Sequence, residues 1–592
     1  MKKSRLDSGL LSMAARLNAG LRNAAPISLE QLGPKIRAEG AASEADLPEQ
    51  DSSLITLKLM VTPEGSAQVR DWIGISGGEL VSDGDSVIVA TMDVLKIQEL
   101  ENLPGLLRAE SPYKLEMRME QARGVATGTD VAINKHALNG KNVVVGIIDS
   151  GVDWSHADFL DGAGDSRIER FILAQRGSNT TSNYSRYTNI DINSALSGSS
   201  VIPQGDPHGH GTHCAGIAAG GGAASSGVHS GVATGATLMA MRSSLYDDEI
   251  ITGIREMFSA AGDRPAVINL SLGGHNGAHD GTSAIENVIA RETGPGRIIV
   301  VAAGNEGSDD IHWSDNLVAG QSLVMDAQID DSDFQFVDVW IPRGDDVDIS
   351  LEVGVSEAVP IDGTYHSTSI GRVGGVARVD AVNGEKNVTL FLDNCVLGES
   401  VRLLMQANTV TQGEVHAWAG PKARNVFNGG VNNFTVGMPA TEDSAITVAS
   451  FVSRNRILPG MGANPSLTFN HLSPFSSRGP SRSGIQKPDI AAPGQYITSS
   501  LASNSEMSKH KRYAQRRNTA GDLISIQGTS MATPFVAGVI ALMLEREPTL
   551  NPAEIKQRFR ATATRDTITG RIWNQEFGVG RINVDALLDY RP

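Results

Sequence analysis

The stretch that decides the fold is "SIQGTSMATPFVAGVIALML", residues 525–544. A hydroxyl, Ser530, stands just ahead of a long apolar run. One reading makes it a helix cap, because a side-chain oxygen at a helix start accepts from the free N–H groups there. The other makes it a nucleophile at a helix N-terminus, where those N–H groups and the positive end of the dipole face a developing anion. Pro534 falls within the first turn of such a helix, where its missing N–H does little harm. The choice between the two turns on whether the chain also supplies a base, an acid to orient it and a second anion donor.

The surrounding sequence has the texture of a buried parallel sheet. "NVVVGIIDS" (142–150) is a continuous apolar run ending in acid and glycine, and "AVINLSLGG" (266–274) and "RIIVVAAGN" (297–305) repeat the design with helix-like segments between them. In such sheets the functional residues gather where strands end. From about 320 to 435 helical periodicity gives way to short alternating runs such as "FQFVDVWIP" and "NVTLFLD". That pattern predicts an all-β insert, a sandwich or jelly roll. The α/β texture resumes at "AITVASF" (445–451) and continues to the end. Ahead of it all, residues 54–118 read strand–helix–strand–helix–strand, a small ferredoxin-like α+β unit. Residues 39–53 are acidic and nearly free of large apolar groups, and read as a linker. Leu6, Leu10, Leu17 and Leu21 fall at helical spacing, which predicts an amphipathic helix packed on the body of the protein. The division expected is 1–53, 54–118, 119–319, 320–435 and 436–592.

Three segments supply the missing groups: "GIIDSGVDWSHADF" with Asp149 closing a strand, "DPHGHGTHCAGIAAG" with His210 opening a small-residue helix, and "GTSMATPFVAG" with Ser530. Together with "INLSLGG", "AAGNEG" and "FSSRGPSRSGIQKPDIAAPG", they stand in the order of one family. The chain resembles the subtilases, the subtilisin-like serine peptidases, over roughly 141–308 and 436–592. The resemblance implies Ser530 as nucleophile, His210 as general base and Asp149 as the acid that holds the imidazole. It implies Asn305 as oxyanion donor beside the Ser530 backbone N–H, a role whose loss typically slows such enzymes by about 100- to 1,000-fold. It also implies that Ser271, Leu272, Gly273 and Gly274 form one wall of a peptide cleft, with Ala302, Ala303 and Gly304 forming the other and Gly437 at the floor of the first specificity pocket. Glu306 at the rim would favour a basic residue there. The fold it implies is a subtilisin-like parallel sheet flanked by helices.

Composition excludes other classes. A formal charge of -17 argues against a nucleic-acid partner. No stretch is long enough for a membrane span, and the basic N-terminus lacks an apolar signal core, so a cytoplasmic location is expected. Two cysteines, Cys214 and Cys395, define no disulfide framework, and Cys214 reads as a small buried hydrophobe beside His210. His208, His210 and His213 have no completing carboxylate or cysteine set, so no metal is expected there, and His213 and His156 read as structural. The loop after His213 lacks the oxygens of the family's calcium loop, so no cofactor is expected from it; calcium elsewhere is left open.

Several features depart from the family pattern. The insert separates Asn305 from Gly437 and resembles the jelly-roll insert of clostridial spore-germination subtilases. Phe535 replaces the histidine that usually follows the proline of the serine motif, a position without a catalytic role. Loop 503–523 carries a basic run, Lys509 to Arg517, and reads as mobile and solvated. The N-terminal unit resembles an inhibitory propeptide, with the junction to be cut lying in 111–124. The expectation is a serine endopeptidase made as a zymogen, acting on protein or peptide and inhibited by its own propeptide. A narrow processing protease is the variant kept in view, and a peptide-binding pseudoprotease is the rival; oligomeric state is left open.

Overall fold

The computed structural model describes residues 3–18, 54–117, 135–177, 181–331, 334–420, 423–424, 426–456 and 464–591. The acidic stretch 39–53 and residues 118–124 of the expected junction lie outside the described residues.

Apolar runs that close on acid or glycine build one eight-stranded sheet. Its order is Ile490–Pro493, Ile446–Phe451, Arg297–Ala302, Ala266–Leu270, Val144–Asp149, Thr237–Arg242, Ile168–Arg176 and Ser182–Thr188. All neighbours run parallel except the last pair. The register sets Ile147 beside Asn269 and Asn269 beside Val300, so Asp149, Ser271 and Ala302 end up along one edge. Helices cover both faces, as buried parallel strands require. Helix Thr529–Arg546 is buried from Thr529 to Leu544, which explains its lack of an amphipathic stripe. It packs with His210–Ala219 on one face, while Asp247–Ala261 and Ala284–Glu292 share the apolar core of the other. Among the described residues no helix is long and apolar enough to cross a membrane.

The insert is a two-sheet sandwich. Its larger sheet contains His312–Asn316, Glu414–Gly420, Phe334–Ile341, Lys386–Asp393 and Gly371–Asp380; its smaller one contains Ser322–Gln328, Ser400–Thr409, Asp346–Val353 and Glu357–Val359. The first strand, His312–Asn316, starts ahead of the point where alternation becomes legible at about 320, because its polar "HWSDN" hides the pattern.

The N-terminal unit is an antiparallel four-stranded sheet in the order Glu79–Ser82, Val87–Asp93, Leu54–Val61, Leu106–Glu110. Two features differ from the sequence reading. Glu79–Ser82 is a fourth strand, too short and polar to show as alternation, and Val94–Asn102 is a 3-10 run rather than an α-helix. The sheet has two apolar faces. Leu57, Leu59, Ile88 and Ala90 pack on the unit's own helices, whereas Met60, Val87 and Val89 join the core over Asp247–Ala261 and Ala284–Glu292. On that second face sits Lys58, fully buried and paired with Asp247 and with Glu110 (3.0 Å). Burial alone would lower the lysine, but the two carboxylates raise it, so the ammonium persists.

Breaking a buried pair from one side leaves a charge without its partner, at about 3–5 kcal/mol. Lys58→Met is therefore expected to loosen the docked N-terminal unit by that order, and Lys58→Met with Asp247→Leu to recover most of the loss. Denaturant unfolding of the intact chain and its variants measures both.

Candidate active site

Asp149 is the last residue of its strand and is fully buried. Its Oδ1 accepts from the Ser150 N–H (2.7 Å) and pairs with His210 Nδ1 (2.7 Å). His210 opens the helix His210–Ala219, which lies close against the strand end: a Cβ on Gly211 would stand 2.0 Å from the Gly151 carbonyl. Glycine is required there for the carboxylate and the imidazole to meet. Burial disfavours the imidazolium, but the charge and hydrogen bond of Asp149 together with Cys214 beside the ring outweigh it, and His210 is raised well above its ordinary 6.5.

Ser530 is the second residue of its helix. Gly528 occupies the N-cap position, where no side chain caps the helix, so the capping reading of Ser530 does not hold. Its hydroxyl donates to the Ser271 carbonyl (3.0 Å), while its own carbonyl accepts from Ser271 Oγ (2.9 Å) and Cys214 Sγ (3.5 Å). Sγ lies 3.9 Å from both ring nitrogens of His210. Asn305 is locked to the same helix end, its Oδ1 accepting from Thr529 N (3.0 Å) and Thr529 Oγ1 (3.0 Å). Its buried Nδ2 has no partner among the described residues. An unspent amide donor beside a helix N-terminus is suited to an anion that appears only during reaction.

The walls meet around this centre. Gly304 has φ +125, and a Cβ there would lie 2.5 Å from Ser477 Oγ. Gly437 N donates to the Ala303 carbonyl (3.1 Å), and Met438 and Gly274 exchange two bonds of 2.8 and 2.9 Å, so the segments around Gly274, Ala303 and Gly437 are one hydrogen-bonded unit. Leu272 and Gly273 pair antiparallel with Met117 and Glu116, the tail of the N-terminal unit. On the tail's other side Leu115 N donates to the Leu245 carbonyl (2.8 Å) and Lys114 bridges to Tyr246. The tail thus lies as a strand between two edges, with Leu115 fully buried. Glu306 reaches the rim, where His275 Nε2 stands 3.3 Å from it.

Two contributions escape the sequence reading. The edge Leu245–Tyr246 carries no motif. Asp206 does carry a signal, an acid placed just before a helix start. Fully buried, it accepts from Gly209 N (2.7 Å), Thr212 N (2.9 Å) and Ser150 Oγ (2.9 Å). It thereby caps a helix whose own N-cap is glycine and ties it to the strand bearing Asp149. The basic stretch near 510, expected as a loop, contains two short helical turns, Glu506–Lys509 and Lys511–Arg516. Buried Met507 and Tyr513 anchor it, and Met507 N donates to the His208 carbonyl (3.1 Å).

His213 is held by the carbonyls of Ile497 (3.0 Å) and Ile524 (3.1 Å), and burial pushes it down to about 3. Ligand atoms of Asp149, His210 and Cys214 lie within 4.8 Å of one another, as do those of His136, Asp585 and Asp589. The first set is engaged in the Asp149–His210 bond; in the second, Lys135 already bridges both carboxylates at 2.9 and 2.5 Å.

The sequence profile of the Subtilase family matches residues 140–331 and 396–580, more than half of the chain. The chain belongs to the subtilase family. The gap between the two matched stretches falls inside the insert. Among subtilases it is 31% identical to the serine protease AprX of Bacillus subtilis over 162 residues, covering 27% of this chain and 33% of AprX. It is 29% identical to subtilisin E of the same organism over 268 residues, covering 43% of this chain and 59% of subtilisin E. It thus spans less than two thirds of either relative. The CspB protease of Clostridium perfringens superimposes with a TM-score of 0.64 at 26% identity, covering 78% of this chain and 97% of that one. The subtilisin-like α/β fold follows from these matches together.

Burial pushes the thiols of both Cys214 and Cys395 upward. Neither is expected to react with an aromatic disulfide reagent in the native protein, and both should react on unfolding. Rapid native labelling of Cys214 would contradict the packing described around His210.

Proposed function

We propose that this subtilase is a serine endopeptidase made as a zymogen. The observation that carries the reading is the buried 2.7 Å bond between Asp149 and His210, set beside a helix whose second residue is Ser530. In the reaction the Ser530 hydroxyl leaves the Ser271 carbonyl, passes its proton to His210 Nε2, and Oγ bonds to the substrate carbonyl carbon. The oxyanion is held by Asn305 Nδ2 and the Ser530 N–H. As the C–N bond breaks, His210 returns the proton to the leaving amine. Water then attacks the acyl-enzyme, giving its proton to His210, and the peptide acid departs as Oγ regains a hydrogen.

The same reading takes residues 54–118 as a propeptide whose tail fills the cleft, and places the maturation cut in 111–124. Support comes from the antiparallel pairing of Glu116 and Met117 with Gly273 and Leu272, which sends the chain towards Ser271 and hence Ser530. A cavity of about 840 Å³ adjoins the tail, lined by Asn305 and Glu306 on one side and by Phe336 and Trp340 of the insert on another. A cleft walled by an extra domain accepts fewer shapes than an open groove, which favours a narrow processing protease.

Comparing fragment masses of wild type and Ser530→Ala tests the reading: wild type should yield a fragment ending within 111–124 and bind a fluorophosphonate probe, and Ser530→Ala should do neither. Identical full-length products that bind no probe would overturn it. Because Asp149 holds His210 above 6.5 and only the neutral imidazole accepts a proton, kcat/KM should rise with pH through a midpoint above 6.5. Asp149→Asn should lower kcat by about 10,000-fold and shift that midpoint downward.

A further inference from the structure

The segment that ends at Gly274 runs on into a loop carrying two histidines that the reaction does not use. His275 and His279 are both buried, and their rings stack at 5.2 Å. The insert lays Trp418 flat on His279, with ring centroids 4.0 Å apart and planes 9° apart. The indole is itself fixed, since its Nε1 donates to the Phe434 carbonyl (2.9 Å) and His416, on the same strand, lies at 9° to its plane. His279 holds φ +52, a backbone that glycine adopts freely and a β-carbon resists. The imidazole is therefore carried at some conformational cost, which its contacts with Trp418 and His275 offset.

The hydrogen bonds along this loop have a direction. The Gly277 carbonyl can only accept, so His279 Nδ1, 2.9 Å away, carries the proton. Burial, with His275 beside it, holds His279 well below its ordinary 6.5, so the ring is neutral. Its Nε2 is left to accept from His275 Nδ1 at 3.0 Å. That bond turns the other nitrogen of His275, Nε2, towards Glu306, where it stands 3.3 Å from Oε2. The same carboxylate oxygen accepts from the Asn305 N–H (2.8 Å) and from Ser477 Oγ (3.0 Å). An unbroken run of contacts thus joins the insert to the backbone of Asn305.

We propose that the insert positions the oxyanion donor. Trp418 and His279 are positioning residues that act through His275 and Glu306 to fix the backbone of Asn305, and with it the amide that receives the oxyanion. A donor fixed before reaction needs no reorganisation at the transition state, whereas one that must be gathered does. This rests on the peptidase reading above, and it gives the insert a part in the chemical step rather than in substrate binding.

The test measures kcat and KM of the full chain on a fluorogenic peptide carrying the tail's own sequence, residues 113–118. His279→Gly suits the backbone and removes the ring; kcat should fall at least tenfold, with KM within threefold of wild type. Asn305→Ala should lower kcat by about 100-fold or more. Adding His279→Gly to Asn305→Ala should then cost less than a further threefold, whereas independent effects would multiply. Trp418→Leu should match His279→Gly, and Trp418→Phe, which keeps a ring over the imidazole, should recover most of the loss. A His279→Gly chain with kcat within twofold of wild type, or one whose loss multiplies in full with that of Asn305→Ala, would sink the proposal alone. A wild type that neither cuts the peptide nor binds the fluorophosphonate probe would instead count against the peptidase reading, and the proposal would fall with it.

Discussion

The bond between Asp149 and His210 is the constraint around which the catalytic unit is arranged. A carboxylate without access to water is costly unless its charge is matched and hydrogen-bonded. Here the match requires a strand end and a helix start to touch, and several otherwise unrelated details serve that contact. Gly211 removes the side chain that would keep them apart, Asp206 caps the helix from a distance, and Ser150 joins the two through its hydroxyl. The register of the parallel sheet then brings Ser271 and Ala302 to the same edge. The helix carrying Ser530 packs beneath that edge because it is apolar all round and finds enough buried surface only there.

A second set of buried charges ties the three units together. From the insert to the catalytic unit it runs through Asp380, Arg108, Glu110, Lys58 and Asp247, each side chain answering the one before. Such pairs add little net stability over apolar packing, but they penalise any arrangement that separates them. They therefore specify one docked geometry for the N-terminal unit, with its tail directed into the cleft.

Much of this was legible in the order of residues. Asp149, His210, Asn305 and Ser530 each sit in a segment whose neighbours announce a strand end or a helix start, and the structure brings all four together. The segments "SLGG" and "AAGN", expected as cleft walls, likewise stand where buried strands end. Short polar elements were not: Glu79–Ser82 and His312–Asn316 carry too few apolar residues to set a period, and only their partners make them strands. The basic run near 510 shows no helical period in sequence, yet Met507 and Tyr513 bury themselves and shape it into two short turns while Lys509, Lys511 and Arg512 stay exposed.

Sequence alone determined the family of folds, because strand ends and helix starts are local matters of sterics and periodicity, and the resemblance of its motifs to one family pointed to the candidate reactive groups. Tertiary structure decided what those groups face. It turned the Ser530 hydroxyl to Ser271 rather than His210, left Asn305 Nδ2 without a partner among the described residues, and set Leu245–Tyr246 beside Lys114–Leu115. It also placed residues 3–18 between the propeptide-like unit and the insert. Each of these depends on contacts between residues far apart in the chain, for which no local pattern exists to be read.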